Sequence, residues 1–532
     1  MGTRTSERAR SLPTTGDRVA GGVVGLLSGL VALGAAQLVA GIVGGASSPM
    51  IAVGSAAIDL APAWLKDFAI RTFGTDDKLA LLVGIGTVTG VTAIVVGVVS
   101  VRRPRAGAAG IVAFGAIGVL AAVTRPANGL ADAVPSLVGT VVGLVAYRWL
   151  RAAAGLSDPW VREEAEVAPG PASTSPTAFD RRRLLRTGAL AAGAAATSGL
   201  IGQYLVRRAD ASESRAAVRI PAPADAAPPP PSGADLHVPG LVPFLTPNDR
   251  FYRIDTALFV PSVSADTWSL RIHGMVSREI TMTYRQLLAR PLVERDVTLA
   301  CVSNEVGGDL IGNARWIGAP LKELLEEAGV DPTASQLVSR SADGFTAGTP
   351  TPIVMDGRDA MLAVAMNGEP LPLAHGFPVR MVVPGLYGYV SATKWVVDLE
   401  LTTFEAFDPY WIERGWAEQA PIKTASRIDT PRDRSKVGPG EVAVAGVAWA
   451  QHRGIDRVEV SVDDGPWAEA DLADEDTVDT WRQWIYRWDA PVGEHTLSVR
   501  ATDGTGDLQI ETPAPPFPDG ATGDHAIAVT AS

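Results

Sequence analysis

Five stretches in the first 206 residues, at about 20–45, 78–101, 107–125, 128–149 and 184–206, are uninterrupted enough in apolar residues to cross a bilayer, which takes about 20 residues of helix. Within lipid every backbone N–H and C=O must find its partner inside the chain, so such segments have to be helices. Glycine, alanine, valine and leucine crowd into this part. The overall 47% hydrophobic content is therefore uneven, with a membrane region first and a soluble region after it. Arginines mark alternate flanks: Arg4, Arg8, Arg10 and Arg18 precede the first segment, Arg102, Arg103 and Arg105 separate the second and third, and Arg148, Arg151 and Arg181 to Arg186 lie between the fourth and fifth. Basic loops stay in the cytoplasm, so five crossings place the C-terminal part outside. An even count, which the glycine-rich third segment leaves open, would reverse that. The loop 46–77, with "APAWLKDFAIRTFG", reads as an interfacial helix on the outer face.

The fifth segment begins "FDRRRLLRTGALAAGAAATSGL". Arg181, Arg182, Leu184, Leu185 and Arg186 stand in the order of a twin-arginine export signal, while the plainer reading is a basic stop-transfer cluster. Residues 207–236 are rich in proline and alanine and read as a semi-stiff tether, so folded structure is expected from His237. From 237 to 427 the pattern is mixed α/β: strands at "WSLRIHGMV", "ERDVTLACV" and "SQLVSRSADG", helices at "TYRQLLARP" and "APLKELLEEAGV". From 428 to 532 short alternating segments separated by DDG and DGTG turns predict an immunoglobulin-like β-sandwich. The acidic run Asp471 to Asp479 reads as a solvated loop.

Cys301, in "TLACVSNEVGG", is the only cysteine of 532 residues. It excludes an intramolecular disulfide, a CxxC zinc knuckle and a CxxCH haem attachment. A net charge of -12, carried mainly by the soluble part, speaks against nucleic acid. Taken alone, a cysteine at a strand end reads as a small core residue. Its surroundings point elsewhere.

The stretch "TLACVSNEVGGDLIGNARWIGAPLKELL" resembles the molybdenum-ligand segment of the sulfite oxidase family, with a strand delivering Cys301, then Asn304, then a turn carrying Gly312, Ala314, Arg315, Trp316 and Gly318 before a helix. Upstream, "TPNDRFYRIDTALFVP" is similar to the family's arginine-bearing pterin segment. Downstream, "MNGEPLPLAHGFPVRMVVPGLYGYVSATKWV" is similar to its long pterin-binding block. The resemblance implies a molybdenum–molybdopterin cofactor held by Tyr252, Arg253, Asp255, Asn304, Asp343, His375, Arg380, Ser391, Thr393 and Lys394, with Cys301 as the metal ligand and Arg253 directed at the substrate. A soft metal held by a dithiolene accepts one further thiolate, and a phosphate calls for cationic and N–H donors. The fold class implied is a membrane α-helical N-terminal region (1–206), an α+β sulfite-oxidase-type molybdopterin domain (237–427) and the C-terminal sandwich (428–532), which resembles the family's dimerisation domain.

The chain departs from sulfite-oxidising members where they carry arginines: "CVSNEV" offers Glu305 and Val306, and Tyr389 and Val390 precede the Lys394–Trp395 pair. Glu305 would disfavour a bound anion, unless it is solvated outside the pocket. The expected function is thus oxygen-atom transfer on a small extracytoplasmic substrate, a sulfoxide or another sulfur compound. Alternatives are a sulfite dehydrogenase proper and a non-catalytic, membrane-anchored binding module. The six histidines, at 237, 273, 375, 452, 495 and 525, all lie outside the apolar segments. No haem is expected on this chain, and electrons would pass to a separate carrier, a cytochrome or a quinone.

Overall fold

The computed structural model describes residues 14–43, 47–61, 72, 77–124, 130–156, 181–208 and 211–532, which fall into two compact units, Met1–Asp210 and Ala211–Ser532. The first is helical: α1 Thr15–Val43, α2 Pro49–Leu60, α3 Asp77–Ser100, α4 Pro104–Val123, α5 Val134–Ala153 and α6 Arg181–Arg208. All but α2 are long and apolar enough to cross a membrane. The interfacial helix expected at "APAWLKDFAIRTFG" lies almost wholly outside the described residues, as do Arg4, Arg8 and Arg10.

Helix α1 is the centre of this unit and packs on α3, α5 and α6. Its small residues make that possible: a Cβ on Gly25 would stand 2.8 Å from the Gly97 Cα, and one on Gly34 would stand 2.6 Å from the Ala195 carbonyl oxygen. Between membrane helices, close van der Waals approach replaces the hydrophobic effect as the source of association. Arg151, at the end of α5, is buried and donates from Nη1 to the Ser100 carbonyl at 2.8 Å. A cation thus meets the unpaired carbonyl end of α3.

The second unit opens with α7 Ser212–Ala217. Residues 211–236, expected as a free tether, are instead fastened to the unit. The Arg215 guanidinium donates to the Pro370 and Leu371 carbonyls, both at 2.8 Å. Ala224 N–H donates to Leu292 O at 2.7 Å, and Arg315 Nη2 donates to Pro228 O at 2.7 Å. Proline-rich chain is already extended before it binds, so ordering it costs little entropy, and its unpaired carbonyls are ready acceptors.

The strands are β1 Ser269–Gly274, β2 Ile280–Thr283, β3 Val293–Ala300, β4 Ile311–Pro320, β5 Gln336–Ser341, β6 Thr346–Pro350, β7 Met361–Met366, β8 Glu369–Pro370, β9 Arg380–Val382 and β10 Val396–Thr402. One sheet runs β2-β1-β10-β5-β6, with β1 and β10 parallel; the other runs β3-β4-β7-β8, with β9 also on β7. Helices α8 Tyr284–Leu288 and α9 Leu321–Ala328 cover them. Thr283 and Gln286 close a capping box on α8, and left-handed Gly329 ends α9. The segment Gly312–Gly318, expected as a turn, is the body of β4, paired along β3 with Thr298 opposite Asn313. Its residues 311–314 and 316–319 are buried, so the sheet core claims it.

The remaining strands are β11 Ala425–Thr430, β12 Ser435–Val437, β13 Gly440–Trp449, β14 Ile455–Val462, β15 Ala468–Glu469, β16 Asp471–Leu472, β17 Arg482–Ala490, β18 Gly493–Asp503 and β19 His525–Ala531. They form two sheets, β11-β13-β17-β16 and β12-β19-β18-β14-β15, that share a core including Val444, Val458, Trp484, Leu497 and Ile527. This part is not set apart from the preceding one. Trp481 is buried in the first core and donates from its indole to Phe244 O at 2.9 Å, and Gln451 donates to Thr298 O at 3.1 Å. The acidic run 471–479 takes part in this join: Thr298 N–H donates to Asp479 O at 3.0 Å, and Asp476 is partly buried beside Asp296. It is not the freely solvated loop its composition predicts.

Candidate active site

Strand β3 ends at Ala300 with its last five residues buried, which delivers Cys301 to the floor of a cavity of about 680 Å3. The turn beyond is closed by Cys301 N–H on Leu310 O at 2.9 Å, Asn304 N–H on Cys301 O at 3.1 Å, and Leu310 N–H on Asn304 Oδ1 at 2.8 Å. Asn304 is therefore the clasp of the cysteine loop and does not line the cavity. Burial pushes the Cys301 thiol up; the Ser303 N–H and hydroxyl and the charge on Lys394 pull it back. A bound metal would remove that proton outright.

Around Cys301 the cavity is lined by Tyr252, Asp255, Asp343, Arg380 and Lys394, residues that the chain draws from three separated segments. Lys394 Nζ donates to Asp255 Oδ2 at 3.2 Å and to Ile254 O at 3.0 Å, and Arg253 Nε donates to the same Asp255 Oδ2 at 2.8 Å. The Arg253 side chain is 38% exposed, that of Lys394 10%. Burial holds Lys394 down to about 8, with Asp255 opposing the fall. Arg380 is held to about 10, chiefly by burial. Its guanidinium lies 5.0 Å from the Trp316 ring centre and donates to the carbonyls of His375 and Ala392, each at 3.3 Å. Among the described residues it has no carboxylate partner. Burial raises the Tyr252 phenol, and a charge on Cys301 raises it further.

His375 stands outside the cavity lining. Its Nε2 donates to Asn248 O at 3.2 Å, burial and the neighbouring Arg380 lower it to about 4, and Nδ1 is buried without a partner among the described residues. At neutral pH it is an uncharged acceptor rather than the cationic donor its sequence context suggests. Ser391 and Thr393 also miss the cavity. Ser391 Oγ donates to Leu386 O and Tyr387 O, both at 3.0 Å, and Thr393 shares a 2.7 Å bond with Ser339. They fix the backbone on which Lys394 stands. Glu305 is exposed and lines a smaller cavity on the other face of the cysteine loop, with Tyr387, Ser426 and Thr522. The electrostatic objection to an anion beside Glu305 therefore does not reach the Cys301 cavity.

Sequence reasoning missed much of the wall. Ile254, Thr256 and Phe345 line the cavity, and the signal was adjacency: the first two interleave with Arg253 and Asp255 on an extended segment, and Phe345 follows the "SADG" turn. Trp395 also lines it and holds φ at +50°, a left-handed backbone that costs a bulky residue and is tolerated where surroundings impose it. Phe345 and Tyr389, both in the lining, are joined by a chain of tilted and edge-on rings: Phe345–Tyr410 at 5.8 Å, Tyr410–Trp411 at 5.0 Å, Trp411–Trp416 at 6.1 Å and Trp416–Tyr389 at 5.8 Å between ring centres. The Tyr389 hydroxyl is occupied by Ala417 O at 2.5 Å, so it presents its ring.

The chain matches the oxidoreductase molybdopterin binding domain over residues 257–411, and it is 31% identical over 149 residues to the uncharacterized oxidoreductase YuiH of Bacillus subtilis (strain 168), covering 28% of this chain and 72% of that one. It belongs to the sulfite oxidase family of molybdopterin-binding oxidoreductases. The mitochondrial sulfite oxidases of Rattus norvegicus and Homo sapiens are each 31% identical, over 323 and 321 residues, which is 51% of this chain and 58% of theirs. The chain thus spans little more than half the length of those relatives. Among solved structures, the sulfane dehydrogenase SoxCD from Paracoccus pantotrophus is 26% identical, with a TM-score of 0.48 over 54% of this chain and 81% of that one. None of these alignments spans the whole chain.

The cavity suits the cofactor the family name implies. A soft thiol and a buried guanidinium that has no carboxylate partner among the described residues give the cavity a metal-ligating sulfur and a donor for an anionic group.

Proposed function

We propose that this chain is a membrane-anchored molybdenum-cofactor oxidoreductase that exchanges an oxygen atom with a small substrate on the outer face of the cytoplasmic membrane. The observation that carries the reading is the sole cysteine of the chain opening into a cavity with Arg380 and Lys394. Cys301 would hold the metal, and Arg380, Lys394, Tyr252 and Asp343 would hold the pterin and its phosphate. When bound, the cofactor supplies two-electron chemistry with transfer of an oxygen atom. Arg253, the most exposed of the three cations and paired with the lining residue Asp255, would orient a substrate oxygen from the edge of the cavity. Arg380 and Lys394 are buried, so their interaction with an anion is weakly screened. The high pKa of Tyr252 keeps its phenol protonated as a hydrogen-bond donor across the working range.

The aromatic rim argues for an uncharged substrate such as a sulfoxide or another organic sulfur compound, because Tyr389 presents a ring where sulfite-oxidising members carry a cation. The arginine-flanked segments support an extracytoplasmic placement. The separate electron carrier would be a quinone or a cytochrome-bearing partner, and the C-terminal two-sheet part, read as immunoglobulin-like, would pair two copies. Dye-linked turnover decides the substrate class: dimethyl sulfoxide reduction should exceed sulfite oxidation, and Tyr389→Arg should shift the ratio toward sulfite. Sulfite oxidation dominating in the unaltered protein would overturn the substrate assignment.

A further inference from the structure

Within the helical unit, α1 to α5 line an open-sided apolar recess of about 350 Å3 to which none of the lining residues contributes a charge. Its glycines differ in kind from those that seat helix on helix. A Cβ on Gly25 would collide with α3, whereas one on Gly86 would meet nothing within 4 Å, and one on Gly90 would reach only Leu26 Cδ1 at 4.0 Å. Gly86 and Gly90 stand one turn apart on α3, so their missing side chains leave open space and serve no helix contact. Such space inside a membrane region has no dispersion partner unless something fills it.

The recess also holds one unsatisfied polar group. Ser136, in the first turn of α5, is 4% exposed, lines the recess, and its hydroxyl has no hydrogen-bond partner among the described residues. Gly118 makes room for it, since a Cβ there would stand 2.8 Å from Ser136 Oγ. Two other lining hydroxyls are occupied: Thr140 donates to Ser136 O at 2.7 Å and Tyr147 to Pro104 O at 2.9 Å. A buried hydroxyl left unpaired costs about 1–3 kcal/mol, so it marks a place where an acceptor belongs.

We propose that this recess binds a prenylated quinone, its apolar tail along Gly86 and Gly90 and a ring carbonyl accepting from Ser136. The absence of charge in the lining disfavours a phospholipid headgroup, and an acyl chain alone has no acceptor. A volume of about 350 Å3 falls within the usual 300–1,000 Å3 of small-molecule sites and suits the ring and the first part of its tail. The choice of a quinone over other neutral carbonyl lipids rests on the redox reading above; the recess and its unpaired hydroxyl do not.

The test uses the full chain in phosphatidylcholine nanodiscs and a radiolabelled benzoquinone bearing two isoprene units, with empty nanodiscs as the blank. Saturable uptake above the blank is expected. Gly86→Leu with Gly90→Leu should reduce affinity at least tenfold, and Ser136→Ala, which alters no packing, about fivefold. A prenyl alcohol of equal tail length should compete poorly. Uptake equal to the blank, saturable uptake unaffected by these changes, or competition by the alcohol as effective as by the quinone would overturn the proposal. Cys301→Ser should bind quinone like the unaltered chain, so a failure of the molybdenum reading and a failure of this one are told apart.

Discussion

Replacing Asp255 by Asn should destabilise the cofactor-free protein by an amount that grows as the pH falls. Asp255 is the carboxylate that Lys394 and Arg253 share, at 3.2 and 2.8 Å. A full unit charge at that distance from Lys394 is nominally worth about 5 kcal/mol at an effective dielectric constant of about 20. The buried lysine has a cheaper escape, which is to release its proton. In the unaltered protein Lys394 sits at about 8, with burial, Arg380 and Arg253 all pulling it down and Asp255 the main charge holding it up. Without Asp255 it falls further, and the loss through Lys394 is capped at the free energy of deprotonating it, which grows as the pH drops below about 8. The expected cost is therefore small at pH 8 and grows by up to about 1 kcal/mol for each pH unit below it. Arg253 adds little, being partly exposed. Above pH 8 the folded lysine is neutral while the unfolded one keeps its proton to about 10.4, so the unaltered protein also gains stability as pH rises through that window. Denaturant unfolding of the detergent-solubilised, cofactor-free chain, followed by tryptophan fluorescence at pH 6, 7 and 8, measures the effect. An equal loss at all three pH values would refute a shared, charge-coupled Asp255.

Asp476→Asn should stabilise the protein at neutral pH: burial and the nearby Asp296 carboxylate raise Asp476 to about 6, so unaltered stability falls as pH rises from about 4 to 6 and the variant's curve should flatten there. Arg181→Lys with Arg182→Lys and Arg183→Lys should strand the catalytic part in the cytoplasm if α6 acts as a twin-arginine signal, read by protease protection in spheroplasts; undiminished outside exposure would favour a simple stop-transfer helix. The purified single chain should show no Soret absorbance, because all six histidines lie outside the apolar segments and the one cysteine is assigned to molybdenum; a stoichiometric haem ligated by its own side chains would contradict this.

The five long apolar helices were legible because uninterrupted apolar runs of that length favour helix, and they stand within a few residues of where hydropathy puts them. Strand β3 and its cysteine were legible from alternation followed by a glycine-bearing turn. The cavity itself was not. That Tyr252, Asp343 and Lys394 meet depends on sheet register between segments about 50 to 140 residues apart, which spacing cannot reveal; only the family resemblance brought them together. Asn304, Ser391 and Thr393 match the family by position, and in this structure their side chains bond backbone and hydroxyl partners. Composition misled for residues 211–236, because proline content signals an extended chain and says nothing about whether a neighbouring sheet will accept its carbonyls.

Molybdenum X-ray absorption on the purified full chain, paired with Cys301→Ser, addresses the central assignment most directly. The unaltered protein should carry stoichiometric molybdenum whose sulfur shell exceeds that of the pterin dithiolene, and Cys301→Ser should lose that extra sulfur and with it turnover, while its far-ultraviolet circular dichroism is unchanged. Molybdenum absent from protein made in molybdate-replete cells, or a sulfur shell identical in the two proteins, would contradict the assignment of Cys301 as the metal ligand.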